Sequence, residues 1–449
     1  MREIERIKSM KCLIIAAGRG SRLSGKGDSK PLIPLLGLPL IERVILTATN
    51  AGLTDFYVVT GYNGEEVREY LDRFSQRRNI HITHIKNEEW ERENGISVLK
   101  AKNQLNENFI LLMTDHIFDE SILVKLKNEK IADGEVMLTV DYNINKNKLA
   151  DGNDVTKVLV KDNRILDIGK NIKSYNAYDT GIFLCSPALF RAIEESFHNG
   201  DSSLSGGIRV LARKGKAQAF DMKDNYWIDV DDEKTLKEAE DRLLATLKKT
   251  SDGPISRYLN RPISTRITRH LLRTGITPNH VSLFSFILAM VGALFFFMGG
   301  YNNLVIGALL AHVSSVIDGC DGEVARLKFQ ATEFGGWFDA VLDRYADAFL
   351  LFGLTYYVYS ANRDISALFI GFLAIIGAFM NSYTADKYDG WMKRRLGPGR
   401  CYFRMGRDVR IFIIFLGALL NQPLSVLALM ALLMNVENIR RIVVLRQNG

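Results

Sequence analysis

From residue 276 onward the chain is a run of long apolar segments, and four aspartates are set among them: Asp318, Asp321, Asp339 and Asp343. That pairing restricts the fold more than any other feature. Apolar segments of this kind belong in lipid or in a helical bundle, where backbone polar groups must be satisfied within helices. A carboxylate at that depth is costly, so it marks a functional site. The spacing adds to the argument. Asp318 and Asp321 are three residues apart, Asp339 and Asp343 four, so each pair shares one helical face. Two such pairs on facing helices make an all-oxygen cage suited to a hard divalent cation. The alternative is a set of polar residues lining a water-filled bundle.

Six spans are expected, near Val281–Gly299, Val305–Ile317, Phe338–Tyr359, Ala367–Tyr383, Ile411–Leu420 and Pro423–Val436. Several are shorter than the roughly 20 residues of a perpendicular span, so their polar ends must face protein or water. Basic residues set the orientation. The Tyr383–Arg410 connection carries Lys387, Lys393, Arg394, Arg395, Arg400, Arg404, Arg407 and Arg410, and the tail Arg440, Arg441 and Arg446. Gly300–Leu304 and Asn421–Gln422 carry none; Arg363 alone falls on that side. Both termini and the aspartate-rich end are therefore expected in the cytoplasm of a multi-pass membrane protein. Before the first span, Arg257, Arg261, Arg266, Arg269 and Arg273 stand among Ile and Leu, which suits an amphipathic helix in the membrane interface.

The first half reads as a soluble domain, so the near-zero mean hydropathy averages two environments. Lys11–Ala16, Phe56–Thr60, Ile80–Ile85 and Phe109–Thr114 are strand-like; Pro39–Ala51 and Glu65–Phe74 have helical spacing. The alternation argues an α/β sheet with mainly parallel strands, followed by strands of a mixed sheet at Glu135–Asp141, Val155–Lys161 and Gly181–Cys185. Asp232–Lys249 is a helix leaving the domain. The net charge of +7 fits loops facing anionic lipid, and with no aromatic-studded basic platform, nucleic acid is not expected as a partner. Residues 1–10 are charged and do not form a signal peptide, so this half is expected in the cytoplasm. Four dispersed cysteines read as free thiols.

The first strand leads into Ala16-Ala17-Gly18-Arg19-Gly20-Ser21-Arg22, with Lys30-Pro31-Leu32 beyond. Gly18 and Gly20 let backbone N–H groups approach phosphate oxygens, and Arg22 and Lys30 supply charge. The same loop on its own serves equally as any tight strand-to-helix turn. Asp115 could merely end a strand, and Asp231 or Asp232 could cap the following helix.

Asp318-x-x-Asp321-Gly322-x-x-Ala325-Arg326, then Gly335-x-x-x-Asp339-x-x-x-Asp343, fills every position of a pattern that resembles the CDP-alcohol phosphotransferase family. Pro278-Asn279, with Ser282, also resembles that family. The resemblance implies Asp318, Asp321 and Asp339 as metal ligands, Asp343 as ligand or catalytic base, and two Mg²⁺ (or Mn²⁺) ions. Gly322, Ala325 and Arg326 would then border the nucleotide. Asp347, one turn past Asp343, reads as an internal ion-pair partner. The basic connection serves topology alone, or places Arg404, Arg407 and Arg410 on an acceptor phosphate.

The glycine-rich loop with Lys30-Pro31 resembles the nucleotidyltransferase family that activates sugar phosphates. Thr114-Asp115-His116, Tyr178-Asp179-Thr180-Gly181-Ile182 and Trp227-Ile228-Asp229-Val230-Asp231 resemble its later segments, and Glu93-Asn94-Gly95-Ile96-Ser97 resembles a loop of its CDP-alcohol branch. The implied roles are metal binding for Asp115 and Asp229 and triphosphate contacts for Arg22 and Lys30. The implied fold is a Rossmann-like α/β domain with a mixed sheet (residues 1–245), a linker and juxtamembrane helix (246–275), and an all-α six-helix transmembrane bundle (276–449). The order of both motif sets is similar to bifunctional enzymes that make CDP-inositol from CTP and inositol 1-phosphate and join it to a second inositol 1-phosphate. A homodimer in the lipid bilayer is part of the same expectation.

Overall fold

A computed structural model describes residues 10–144, 155–248, 253–396 and 406–447. The chain divides into two compact units, Met1–Arg242 and Leu243–Gly449.

The first unit is built on a nine-stranded sheet. Its order is His81–Lys86, Asp55–Thr60, Lys11–Ala16, Phe109–Met113, Ala177–Cys185, Val136–Asp141, Ala217–Asp221, Arg164–Gly169, Lys157–Lys161. The first four strands are parallel, with apolar runs in the inner ones; Ala177–Cys185 then enters antiparallel, and the sheet becomes mixed. Strands Arg164–Gly169 and Ala217–Asp221 and helices Ala188–His198 and Leu204–Arg213 were not read from the sequence. Leu13, Leu111, Leu138, Phe183, Phe190 and Ile208 lie at the centre of a continuous core.

This topology sets two loops side by side. Lys11–Ala16 and Phe109–Met113 pair in parallel register, Ile15 opposite Met113, so the glycine-rich loop and Thr114-Asp115 leave the same sheet edge. A crevice at the carboxyl ends of parallel strands is where open α/β sheets bind ligands. A short ribbon closes it: Trp227–Asp229 pairs antiparallel with His116–Phe118, with Asp229 opposite His116. The Trp227 indole N–H donates to buried Asp141 at 3.0 Å, which ties the ribbon to the main sheet.

The second unit is helical: Arg261–Leu271, Pro278–Met298, Tyr301–Leu327, Glu333–Asn362, Ile365–Leu396, Arg407–Leu419 and Pro423–Gln447. Pro278 sits at the first turn of its helix, where a missing N–H costs nothing, and Thr277 caps it. Small residues bring the helices together. A β-carbon on Gly292 would fall 2.8 Å from the Gly307 carbonyl, and one on Gly307 2.6 Å from the Gly292 carbonyl, so Pro278–Met298 and Tyr301–Leu327 meet backbone to backbone. Gly353 meets the Ala293 carbonyl likewise, at 2.9 Å, which brings in Glu333–Asn362.

Among the described residues three helices are long and apolar enough to cross a membrane: Pro278–Met298, Tyr301–Leu327 and Ile365–Ala385. The helices overrun the expected spans because the aspartate motif continues the helical hydrogen bonding past the apolar stretch; Val305–Ile317 is the middle of Tyr301–Leu327. Arg407–Leu419 has only 13 residues. The arginine-rich segment differs from expectation in one respect. Its buried positions are Asn260, Ser264, Thr268 and Leu272, Tyr258 and Ile263 face outward, and Arg261 turns inward to Glu323.

Candidate active sites

In the first unit a cavity of about 310 Å³ is lined by Gly18, Arg22, Lys30, Asp115, His116, Asp179, Gly181, Asp229 and Asp231, among others. Gly20 has φ +65°, and a β-carbon there would lie 2.4 Å from the Lys30 β-carbon. The loop thus turns left-handed at a residue with no side chain, and Lys30 packs directly on it. The Lys30 ammonium donates to Asp115 Oδ2 at 2.5 Å and Asp231 Oδ1 at 2.7 Å, and Arg22 to Asp231 Oδ2 at 3.1 Å.

Charge dominates this crevice. Burial opposes the Lys30 ammonium, but Asp115, Asp231 and Asp229 outweigh it and raise its pKa. Burial would likewise raise Asp115, yet Lys30 and His116 hold it at about 2. Burial disfavours imidazolium at His116, and Asp229 overrides that, raising it to about 9. At Asp179 burial wins instead: it raises the carboxyl to about 6, against the Gly181 N–H it accepts and the nearby His116.

Asp115, His116 and Asp229 each present a ligand atom within 4.8 Å of the others. The Asp229 Oδ1 and His116 Nδ1 atoms are buried with no hydrogen-bond partner. Buried polar atoms are rarely left unpaired, so a mixed nitrogen and oxygen set with orphaned atoms fits a divalent cation.

In the second unit Asp318, Asp339 and Asp343 bring carboxylate oxygens within 4.8 Å of one another, and Asp339 Oδ1 is buried and unpartnered. An all-oxygen set of this kind fits Mg²⁺ or Mn²⁺. Asp318 comes from the end of one helix, Asp339 and Asp343 from the start of the next. Asp321 stands beside them, accepting from Ser282 Oγ at 2.5 Å, while Ser285 Oγ donates to Asp318 at 3.1 Å. Arg407 crosses the group: its Nη1 lies 2.8 Å from Asp343 and 3.0 Å from Asp318, and its Nε donates to Asp347 at 3.2 Å. Next to it a cavity of about 200 Å³ is lined by Asn279, Ser282, Asp321, Gly322, Ala325, Arg326 and Asp339, among others.

Comparison with known proteins finds a family match in each half of the chain. Residues 12–205 match the MobA-like NTP transferase domain, and residues 275–436 the CDP-alcohol phosphatidyltransferase family. A bifunctional IPC transferase and DIPP synthase of Rubrobacter xylanophilus is 36% identical over 97% of this chain and 96% of its own length. The chain belongs to the bifunctional IPC transferase and DIPP synthase family. The Aquifex aeolicus protein of the same name is 31% identical, over 95% of each chain. Among solved structures, the inositol-1-phosphate CTP transferase from T. maritima is similar to the first half, at 25% identity and a TM-score of 0.46, covering 52% of this chain and 94% of that one.

As a member of this family the chain joins a nucleotidyltransferase to a CDP-alcohol phosphotransferase. Gly18, Arg22, Lys30, Asp115 and Asp229 meet at one cavity; Gly20 acts one step back, through Lys30. Gly322, Ala325 and Arg326 line the second cavity with Asp321 and Asp339. Arg404 lies outside the described residues. Arg410 is not at the cavity: it donates to Asp347 at 2.5 Å in a buried pair. A carboxylate one turn below the motif captures it, because a buried charge needs its partner. Sequence reasoning missed His116, Asp231 and Ser285 as site residues. His116 follows Asp115 directly, and that adjacency was the available signal. Asp232, not Asp231, takes the capping role, accepting from Thr235 N–H at 2.8 Å.

Proposed function

We propose that the first unit makes CDP-inositol from CTP and inositol 1-phosphate, and that the second transfers the inositol phosphate group to another inositol 1-phosphate, releasing CMP. The observation that carries this reading is the near end-to-end match to bifunctional IPC transferases and DIPP synthases, with an acidic cluster in each half. Asp115, His116 and Asp229 would hold one metal site, and Asp318, Asp321, Asp339 and Asp343 another that takes two ions. Bound Mg²⁺ or Mn²⁺ supplies charge stabilisation on phosphate oxygens.

In the first step a phosphate oxygen of inositol 1-phosphate attacks the α-phosphorus of CTP. A P–O bond forms, the α–β anhydride breaks and pyrophosphate leaves. Lys30 and Arg22 carry the negative charge as it moves to the leaving group, and the glycine-rich loop admits the triphosphate close to backbone N–H groups. In the second step a hydroxyl of inositol 1-phosphate attacks the phosphorus that bears inositol in CDP-inositol. Its proton passes to Asp343, and the phosphoanhydride to CMP breaks. Gly322 and Ala325 leave room for the nucleotide. Arg407, freed from the carboxylates it now bridges, pairs with the acceptor phosphate.

The second unit is read as a six-helix membrane bundle, its aspartate end and both chain termini cytoplasmic. Three strongly apolar helices and the placement of basic residues support that reading. A division at 1–245, 246–275 and 276–449 and a homodimer belong to the same proposal. The test is purified protein with CTP, Mg²⁺ and a panel of alcohol phosphates, products identified by mass. Inositol 1-phosphate should give CDP-inositol, pyrophosphate, CMP and a water-soluble phosphorylated di-inositol phosphodiester. Label recovered in chloroform would instead assign the second half to phospholipid synthesis.

A further inference from the structure

Helix Tyr301–Leu327 carries a third carboxylate besides Asp318 and Asp321, and it faces elsewhere. Glu323 follows Asp321 by two residues, a rotation of roughly 200° at about 3.6 residues per turn, so it points away from the metal side. It has no exposed surface. A buried carboxylate persists only when its oxygens are satisfied, and one neighbouring helix satisfies them. Arg261 Nη1 donates to Oε1 at 2.5 Å, Ser264 Oγ to Oε1 at 2.7 Å and Thr268 Oγ1 to Oε2 at 2.6 Å. The donors stand three and four residues apart, along one face of Arg261–Leu271.

The grip is reinforced on either side. Cys320 Sγ lies 3.5 Å from the Ser264 carbonyl, and Lys328 Nζ donates to the Thr274 and Ile276 carbonyls at 2.7 and 3.2 Å. Residues 320–328 of the metal-bearing helix are therefore clamped to the segment that precedes the first long helix. On the other face of the same turns, Asp318 and Asp321 are held by Ser285 and Ser282. The end of the helix is fixed from two sides, and Glu323 supplies the charged half of the outer clamp.

We propose that Glu323 is a positioning residue for the second step: through Arg261, Ser264 and Thr268 it sets the rotation and height of the helix end that presents Asp318 and Asp321 to metal. This rests on the metal reading of the aspartate cluster given above. Its loss removes the acceptor that Arg261, Ser264 and Thr268 share. Second-sphere partners of this kind change metal affinity by about 10- to 100-fold.

The test is Mn²⁺ binding to the full chain, followed by the electron paramagnetic resonance signal of free Mn²⁺, with Asp229→Asn present throughout to silence the first unit's site. Glu323→Gln should weaken the remaining Mn²⁺ affinity about tenfold and Thr268→Val about threefold. In the chain without Asp229→Asn, pyrophosphate release from CTP and inositol 1-phosphate should stay unchanged for both variants, which reports that the first unit is folded, and an unchanged thermal unfolding profile in detergent reports the same for the second. Combining Glu323→Gln with Arg261→Met should cost no more than the worse single change, because both remove one link. Unchanged Mn²⁺ affinity in Glu323→Gln, or equal loss of both activities with unchanged affinity, overturns the proposal. Mn²⁺ binding that survives Asp339→Asn overturns the metal reading itself, and this proposal with it.

Discussion

Gly181 lies so close to His116 that a β-carbon on it would fall 1.7 Å from the imidazole Nδ1, and its φ of +70° lies where side chains are strained. The glycine therefore makes room for the histidine that stands between Asp115 and Asp229. Gly181→Ala should move His116 and lower the rate of CDP-inositol formation at least tenfold, with a stability loss of about 1–3 kcal/mol. The check is pyrophosphate release beside thermal unfolding. Transfer from supplied CDP-inositol should be unaffected.

The two chemistries should separate by mutation. Lys30 sits between Asp115 and Asp231 in one unit, and Asp339 belongs to the carboxylate cluster of the other. Lys30→Ala should reduce nucleotide activation by about 10²–10³-fold, the scale of removing one charge-stabilising donor, and leave transfer intact. Asp339→Asn should do the reverse. Loss of both activities in folded protein from either change would refute this division of labour.

Chelation should stop both reactions. Each site groups carboxylates whose mutual repulsion calls for a cation, and each holds a buried carboxylate oxygen without a partner. Activity measured after EDTA and gel filtration should fall to background and return with Mg²⁺ or Mn²⁺. Retention of either activity in metal-free buffer would exclude the corresponding metal site.

Arg410 and Asp347 form a buried pair with side chains each 6% exposed. Breaking such a pair strands a charge, so Asp347→Leu should destabilise the second unit by about 3–5 kcal/mol. The double change Asp347→Leu with Arg410→Met should recover much of that loss. Thermal unfolding in detergent separates the two, and equal losses would show that the charges do not depend on each other.

Much of the first unit's sheet was legible because buried parallel strands leave apolar runs such as Cys12–Ala16 and Phe109–Leu112. Arg164–Gly169 and Ala217–Asp221 lie toward the mixed edge, where one polar face breaks the run and the period is short. Helical boundaries in the second unit were read short for a related reason: hydropathy ends where the aspartates begin, whereas the hydrogen-bonded helix goes on.

The linear order of residues by itself determined the two chemistries: a glycine-rich loop with Lys30, and carboxylates at helical spacing among apolar segments. Covalent spacing fixes which side chains share a helical face, so that information is local. Only the tertiary structure decided which charges meet. It gave Arg410 to Asp347, set Arg407 across Asp318 and Asp343, turned Arg261 inward to Glu323 and brought His116 between two aspartates 114 residues apart (115 and 229). The reason is physical: a buried charge takes whichever opposite charge packing brings within reach, and packing depends on contacts far apart in the chain.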